Sequence, residues 1–132
     1  VNLAHNRARC PDTVAVLDKI EGLGVAGFMR LAPGAHIELH TDFRRDDEVR
    51  CHVGLVLPEV EWATWPPGTA QLLDVRKPHS VRNDTTRPRL TLLLDVRLPF
   101  ILEPDMTPDR LPEIAGEVVR AATADGKSKP NW

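Results

Sequence analysis

The sequence predicts a mainly β protein, a jelly-roll (double-stranded β-helix) barrel with a helix on each side, and three observations lead there. About seven short β-rich runs alternate with turn residues at intervals of eight to twelve, the rhythm of a sandwich or barrel. No segment of crossover-helix length separates any two of them, which argues against a parallel α/β sheet. A chain of 132 residues is long enough to bury one core and too short for two, so residues 1–132 are expected to form one domain. An antiparallel sheet of this size manages its edges by rolling up.

In chain order, "CPDTVAVLDKIEG" predicts a helix over 11–22. Asp12 or Thr13 caps it, Val14, Leu17 and Ile20 share a face, and Gly22 stops it. The barrel follows over about 24–100. Its predicted strands are "VAGFMRLA" (25–32), "HIELH" (36–40), "VRCHVGLVL" (49–57), "VEWATW" (60–65), "TAQLLDV" (69–75), "HSVRN" (79–83) and "RLTLLLDVRL" (89–98). Pro-Gly, Pro-Pro-Gly and charged loops punctuate them. Leu111, Ile114, Val118 and Ala122 recur at helical spacing and predict a C-terminal helix over about 107–125, before the polar end "KSKPNW".

Seventeen Lys and Arg against nineteen Asp and Glu leave a formal charge of −2, no footprint for nucleic acid or an anionic membrane surface. No apolar stretch approaches the roughly 18 residues of a membrane span. "VNLAHNRARC" lacks the apolar core of a signal peptide, which points to the cytoplasm. Two cysteines, Cys10 and Cys51, make no disulfide framework and are expected to be reduced.

The chemistry-bearing stretch is "IELHTDF" (37–43). In a strand, residues two apart face the same way, so His40 and Asp42 can converge on one ion. A third ligand must come from another strand, and His79 opens one. Two histidines and a carboxylate form the facial triad of non-haem Fe(II) oxygenases. Arg89 leads into the apolar strand 89–98 and needs an anionic partner there. That partner is either a dicarboxylate such as 2-oxoglutarate or a structural aspartate, Asp74 or Asp95. The run "RRDDE" (44–48) reads as a solvated loop, placed where it can also act as a lid. His36, His5 and Asp74 read as structural or surface residues.

"RCPDTVAVLDKI", "LAPGAHIELHTD", "RCHVGLVLPE" and "WPPGTAQLLDVRKPHSVRNDTTRPRLTLLLDV" together resemble the aspartyl/asparaginyl β-hydroxylase family of Fe(II)/2-oxoglutarate oxygenases, from about Cys10 to Pro99. The resemblance implies a cupin-like barrel. It assigns His40 and His79 as iron ligands, with Asp42 as the carboxylate that many bacterial relatives keep, and this also argues against halogenation. Arg89 becomes the partner of the distal 2-oxoglutarate carboxylate. Arg50 and His52 match positions that contact 2-oxoglutarate or substrate beside the metal, and so are the catalytic and cofactor-binding candidates. Pro33, Gly34, Trp65 and Gly68 match turn positions. The implied cofactors are Fe(II), 2-oxoglutarate and O₂, and the implied reaction hydroxylates an unactivated C–H bond with succinate and CO₂ as co-products. The implied partner is a small-molecule or peptide substrate, free or carrier-tethered, or a fatty-acyl group.

Two departures stand out. Met29 occupies the place of a serine that helps bind 2-oxoglutarate in the animal enzymes, so another hydroxyl or Arg89 alone must do that work. Glu48 replaces an arginine that receives an acidic substrate, which favours an amine or guanidinium instead. A cupin-like metalloenzyme without 2-oxoglutarate, or a metal-binding sensor, are the competing readings.

Overall fold

A computed structural model of the chain describes residues 3–98. The predicted C-terminal helix lies outside them. The described part is mainly β, as the sequence predicts: two short helices precede six strands, with one 3-10 turn among them. The helices are α1 (Leu3–Arg9) and α2 (Pro11–Leu17). The strands are β1 (Leu23–Leu31), β2 (His36–His40), β3 (Glu48–Val56), β4 (Ala70–Leu73), β5 (His79–Arg82) and β6 (Arg89–Arg97).

All pairings are antiparallel, and three of them nest: β1 with β6, β2 with β5, and β3 with β4. The chain is thus one long hairpin, closed near residues 57–69. A further pairing of β3 with β6 rolls that hairpin up, giving a four-stranded sheet in the order β1-β6-β3-β4 and a two-stranded sheet of β2 and β5. The chain passes from the larger sheet to the smaller and back on each arm, which is the jelly-roll path of a double-stranded β-helix.

Two expectations are corrected. The helix predicted over 11–22 is α2 alone and ends at Leu17, with Ile20 held by a turn onto Leu17 O at 3.0 Å. Gly22 still marks the break: its φ is +75°, and a Cβ there would lie 2.5 Å from Arg97 O. Residues 60–65 form no strand. Glu59–Glu61 make a 3-10 turn instead, and Thr64 and Trp65 both donate back to Glu61 O. The proline flanks at 58, 66 and 67 deny that segment a ladder.

The faces of the four-stranded sheet differ in chemistry because β3 and β6 alternate with period two. Val49, Cys51 and Val53 of β3 and Leu92, Leu94 and Val96 of β6 point outward. There Cys51, Leu94 and Val96 form a buried core with Leu17 and Ile20 from the helical segment packed on it. Burial of each Leu or Val of this kind contributes about 1.5–3 kcal/mol. The opposite, inner face carries Arg50 and His52 of β3 and Arg89, Thr91 and Asp95 of β6. Its polar side chains belong to the site.

Asn83 fixes the rim. Its Nδ2 donates to the carbonyls of Leu31, Ala32 and Arg87 at 3.2, 3.1 and 2.8 Å, and it is 1% exposed. The turn after β1 is thereby tied to the loop after β5. Gly34 (φ +70°) donates to Asn83 O at 2.8 Å and starts the chain into β2.

Candidate active site

Nesting β2 against β5 places His40 directly opposite His79. Their rings lie 4.2 Å apart between centroids, tilted by 51°. The β2–β5 register shifts between Ile37 and His40. Past the strand end, Asp42 N donates to Val75 O at 2.8 Å, which holds Asp42 beside both histidines. One ligand atom from each of His40, Asp42 and His79 lies within 4.8 Å of the others, and all three side chains are half-buried. Within this group His40 Nε2 is 3.9 Å from Asp42 Oδ1.

Backbone carbonyls orient both rings. His40 Nδ1 is 2.6 Å from Glu38 O, and His79 Nδ1 is 2.9 Å from Lys77 O. A carbonyl only accepts, so each Nδ1 carries a proton, and in the neutral ring the lone pair is on Nε2. This is the arrangement by which an outer partner fixes the tautomer of a metal-ligating histidine.

A network of two arginines and two aspartates stands next to the trio. Arg50 donates to Asp42 Oδ2 at 2.7 Å and makes a two-toothed contact with Asp95 at 2.8 and 3.0 Å. Arg44 reaches Asp95 Oδ2 at 3.1 Å and lies 3.8 Å from Asp42 Oδ2. In the loop 44–48, Arg45 and Asp46 are exposed as expected of a solvated run, but Arg44 turns inward; Asp46 pairs with Arg76 at 3.0 Å, and Asp47 with Arg45 at 2.8 Å. The Arg45 guanidinium bonded to Asp47 holds that carboxyl below the ordinary carboxylate range.

His52 is buried on the inner face, and its Nε2 has no hydrogen-bond partner among the described residues. Burial, then the charges of Arg50 and Arg89, push its pKa down to about 4. It is neutral at pH 7. Arg89 pairs with neither Asp74 nor Asp95. Its Nη1 is 3.5 Å from Glu61 Oε2, and its guanidinium carbon lies 6.0 Å from the ring centre of buried Trp65. Asp74 is occupied by Arg76 at 2.8 Å, and that hydrogen bond lowers its pKa, in keeping with a structural role. His36 points outward and meets Glu38 at 2.7 Å; His5 is exposed on α1. Trp65 donates Nε1 to Thr69 O at 3.1 Å, and Gly68 (φ +82°) completes that turn. Cys51 is buried and Cys10 half-buried, both as free thiols.

The sequence reading passed over Arg44, Glu61 and Thr91, and it named Asp95 only as a partner for Arg89. Period-two parity along "RLTLLLDVR" was the available signal, since it sets Arg89, Thr91 and Asp95 on one face. A cleft of about 820 Å³ lies away from the trio, between the helices and the outer face of β1 and β6 near Val14, Phe28 and Leu92. Among the described residues no histidine lines it, so its size does not make it the chemical centre.

Fold and cluster together describe a jelly-roll protein with a histidine–carboxylate cluster that could hold a metal ion. The chain belongs to the aspartyl/asparaginyl β-hydroxylase family, whose profile matches residues 1–99. It is also similar to an ornithine lipid ester-linked acyl 2-hydroxylase of Rhizobium tropici, 30% identical over 102 residues. That match covers 70% of this chain, which spans 36% of the relative's length. Among solved structures, a cupin domain of an XRE-family transcriptional regulator from Enterobacter cloacae aligns at 25% identity and a TM-score of 0.43, over 54% of this chain and 78% of that one. A predicted oxalate decarboxylase from Thermotoga maritima aligns at 18% identity and a TM-score of 0.43, over 58% and 69%. Among the described residues, no helix is long and apolar enough to cross a membrane.

Proposed function

We propose that this chain is an Fe(II)/2-oxoglutarate-dependent dioxygenase that hydroxylates an unactivated C–H bond of an amino acid or peptidyl residue. The observation that carries the reading is the convergence of His40, Asp42 and His79 within 4.8 Å. Two imidazoles and one carboxylate are the donor set of non-haem Fe(II) oxygenases. The donor atoms fit that role, because each Nδ1 faces a backbone carbonyl and Nε2 is the nitrogen left for a metal. His40, Asp42 and His79 would hold the iron, and Arg89 would receive the distal carboxylate of 2-oxoglutarate. Iron with 2-oxoglutarate and O₂ supplies the oxidising power for hydroxylation, with succinate and CO₂ as co-products.

The chain's own part is orientation and shielding. Carbonyls of Glu38 and Lys77 fix the imidazoles, Arg50 fixes Asp42, and Asp95 fixes Arg50. His52 stays neutral and adds no charge to the cavity wall.

One observation favours a second substrate class, the acyl chain of an amphipathic lipid. Leu39 and Phe43, the neighbours of His40 and Asp42, are 70% and 93% exposed, an apolar rim of the kind that meets a hydrocarbon chain. The Rhizobium relative's named acyl substrate fits such a rim.

The test is the visible spectrum of anaerobic protein with Fe(II) and 2-oxoglutarate. A weak charge-transfer band, absent in His79→Ala and Arg89→Ala, is expected. Binding of Fe(II) with no such band in the wild type would point instead to a 2-oxoglutarate-independent metalloenzyme or a sensor. Succinate release on adding peptides or ornithine-containing lipids then separates the substrate classes.

A further inference from the structure

Asp42 and His79 come from opposite arms of the long hairpin, yet one turn holds both. β4 ends at Leu73 and β5 starts at His79. Between them Lys77 N donates to Asp74 O at 3.1 Å, the closing bond of a β-turn. Two carbonyls of this turn serve the cluster. Val75 O accepts from Asp42 N at 2.8 Å, and Lys77 O accepts from His79 Nδ1 at 2.9 Å. The spacing of Asp42 and His79 therefore depends on the shape of residues 74–77.

Arg76 fixes that shape. Its backbone N–H donates to Asp74 Oδ1 at 3.3 Å, the local bond by which an aspartate at the first position of a turn holds it. Its guanidinium returns to the same carboxylate twice, Nε to Oδ1 at 2.8 Å and Nη2 to Oδ2 at 3.0 Å. The remaining arm, Nη1, donates to Asp46 Oδ1 at 3.0 Å. Asp46 follows Asp42 by four residues, so this bond ties the turn to the Asp42 loop a second time. The Arg76 and Asp74 side chains are 19% and 11% exposed, which shields their two-toothed pair from water. Pro78 restricts the backbone of Lys77, whose carbonyl meets His79.

We infer that Arg76 is a positioning residue for the His40–Asp42–His79 site, setting the spacing of Asp42 and His79 through the turn it pins. This rests on the reading of those three residues as a metal site. The bonds of Arg76 go to Asp74 and Asp46, so its effect on a metal passes entirely through the turn and the loop. A partner that orients a metal ligand typically contributes about 10–100-fold to affinity.

The experiment is a competition titration of the full chain with Co(II) and a chelator, with the cobalt visible spectrum recorded at saturation. Wild type, Arg76→Met, His79→Ala and Gly22→Ala are compared at a temperature where all four are folded. Arg76→Met keeps the length of the side chain and loses its charge and donors. It should bind Co(II) about 10–100-fold more weakly than wild type, with a shifted spectrum. Gly22→Ala is the control for lost stability alone, since its strain lies at Arg97 O, and its affinity and spectrum should match wild type. Wild-type affinity and spectrum in Arg76→Met, with His79→Ala much weaker, overturn the inference and leave the metal reading standing. An equal loss in Arg76→Met and Gly22→Ala also overturns it, because it marks a general effect of destabilisation. A wild type that binds Co(II) no better than His79→Ala overturns the metal reading, and this inference with it.

Discussion

Asp95→Asn tests the site's ionic scaffold. Asp95 accepts from Arg50 at 2.8 and 3.0 Å and from Arg44 at 3.1 Å, with its own side chain 9% exposed. With Asp42, the four side chains sum to zero charge; the substitution leaves +1. Removing one partner of a buried ion pair costs about 3–5 kcal/mol. Arg44 and Arg50 keep some solvent contact and Asp42 remains as a partner, which lowers the expected loss to about 2–4 kcal/mol. At a urea slope of about 1–3 kcal/mol/M, the midpoint should fall by roughly 0.7–4 M. Asp84→Asn is the control: its pair with Arg82 is exposed, and its midpoint should not move. A loss below about 0.5 kcal/mol for Asp95→Asn would falsify the scaffold, because it would mean that desolvation cancels the network's attraction.

Three further outcomes follow from local physics. Since His52 has its pKa lowered to about 4 in the fold, the unfolded chain takes up that proton first as pH falls. Metal-free protein should then hold its full stability from this group above pH 6.5, lose about 3 kcal/mol on acidification to about pH 4, and lose no more below. Comparing urea titrations of wild type and His52→Gln across that range isolates this contribution, and identical slopes would contradict it. Gly22→Ala forces a Cβ to 2.5 Å from Arg97 O at φ +75°, and should cost about 2 kcal/mol or more by thermal melting. Burial pushes the Cys51 thiol up to about 11, whereas Cys10 is half-buried. A thiol reagent at pH 8 should therefore modify Cys10 first, and Cys51 only after urea is added.

The sequence made the fold legible where patterning is local. Alternation in "VRCHVGLVL" and "RLTLLLDVRL" identified β3 and β6, and positive-φ glycines at 34 and 68 fell where turns were expected. It misread residues 60–65, whose aromatic and β-branched content resembles a strand although the flanking prolines fold the segment back on Glu61. The trio was legible because His40 and Asp42 are neighbours, and nesting of the hairpin brings His79 to them. Arg44 and Glu61 were not. Each lies in an irregular segment, where no periodicity says which way a side chain turns. Arg89 meets neither of the aspartates expected for it; Glu61, 28 positions back, is reached only by tertiary folding.

Arg50 raises a question that charge arithmetic can decide. Its bond to Asp42 Oδ2 at 2.7 Å leaves Oδ1 as the oxygen facing His40, so ligation in the proposed site would use one carboxylate oxygen. Asp95 braces that arrangement by holding Arg50 from the far side. With iron bound, one-oxygen ligation by Asp42 would leave room for a bidentate co-substrate and O₂. The same arginine opposes a dication. A unit positive charge close to a doubly charged ion, at an effective dielectric of about 20, would cost several kcal/mol. Losing a residue that orients a ligand typically weakens metal binding by about 10–100-fold, or roughly 1.4–2.7 kcal/mol. The repulsion is the larger quantity, so Arg50→Met should bind Co(II) more tightly than wild type in a competition titration with a chelator. Freed from Arg50, Asp42 can bind through both oxygens, and the cobalt visible spectrum should shift as coordination number rises. If affinity falls tenfold and the spectrum stays put, Arg50 serves chiefly to hold Asp42 in position, and the balance drawn here has the wrong sign.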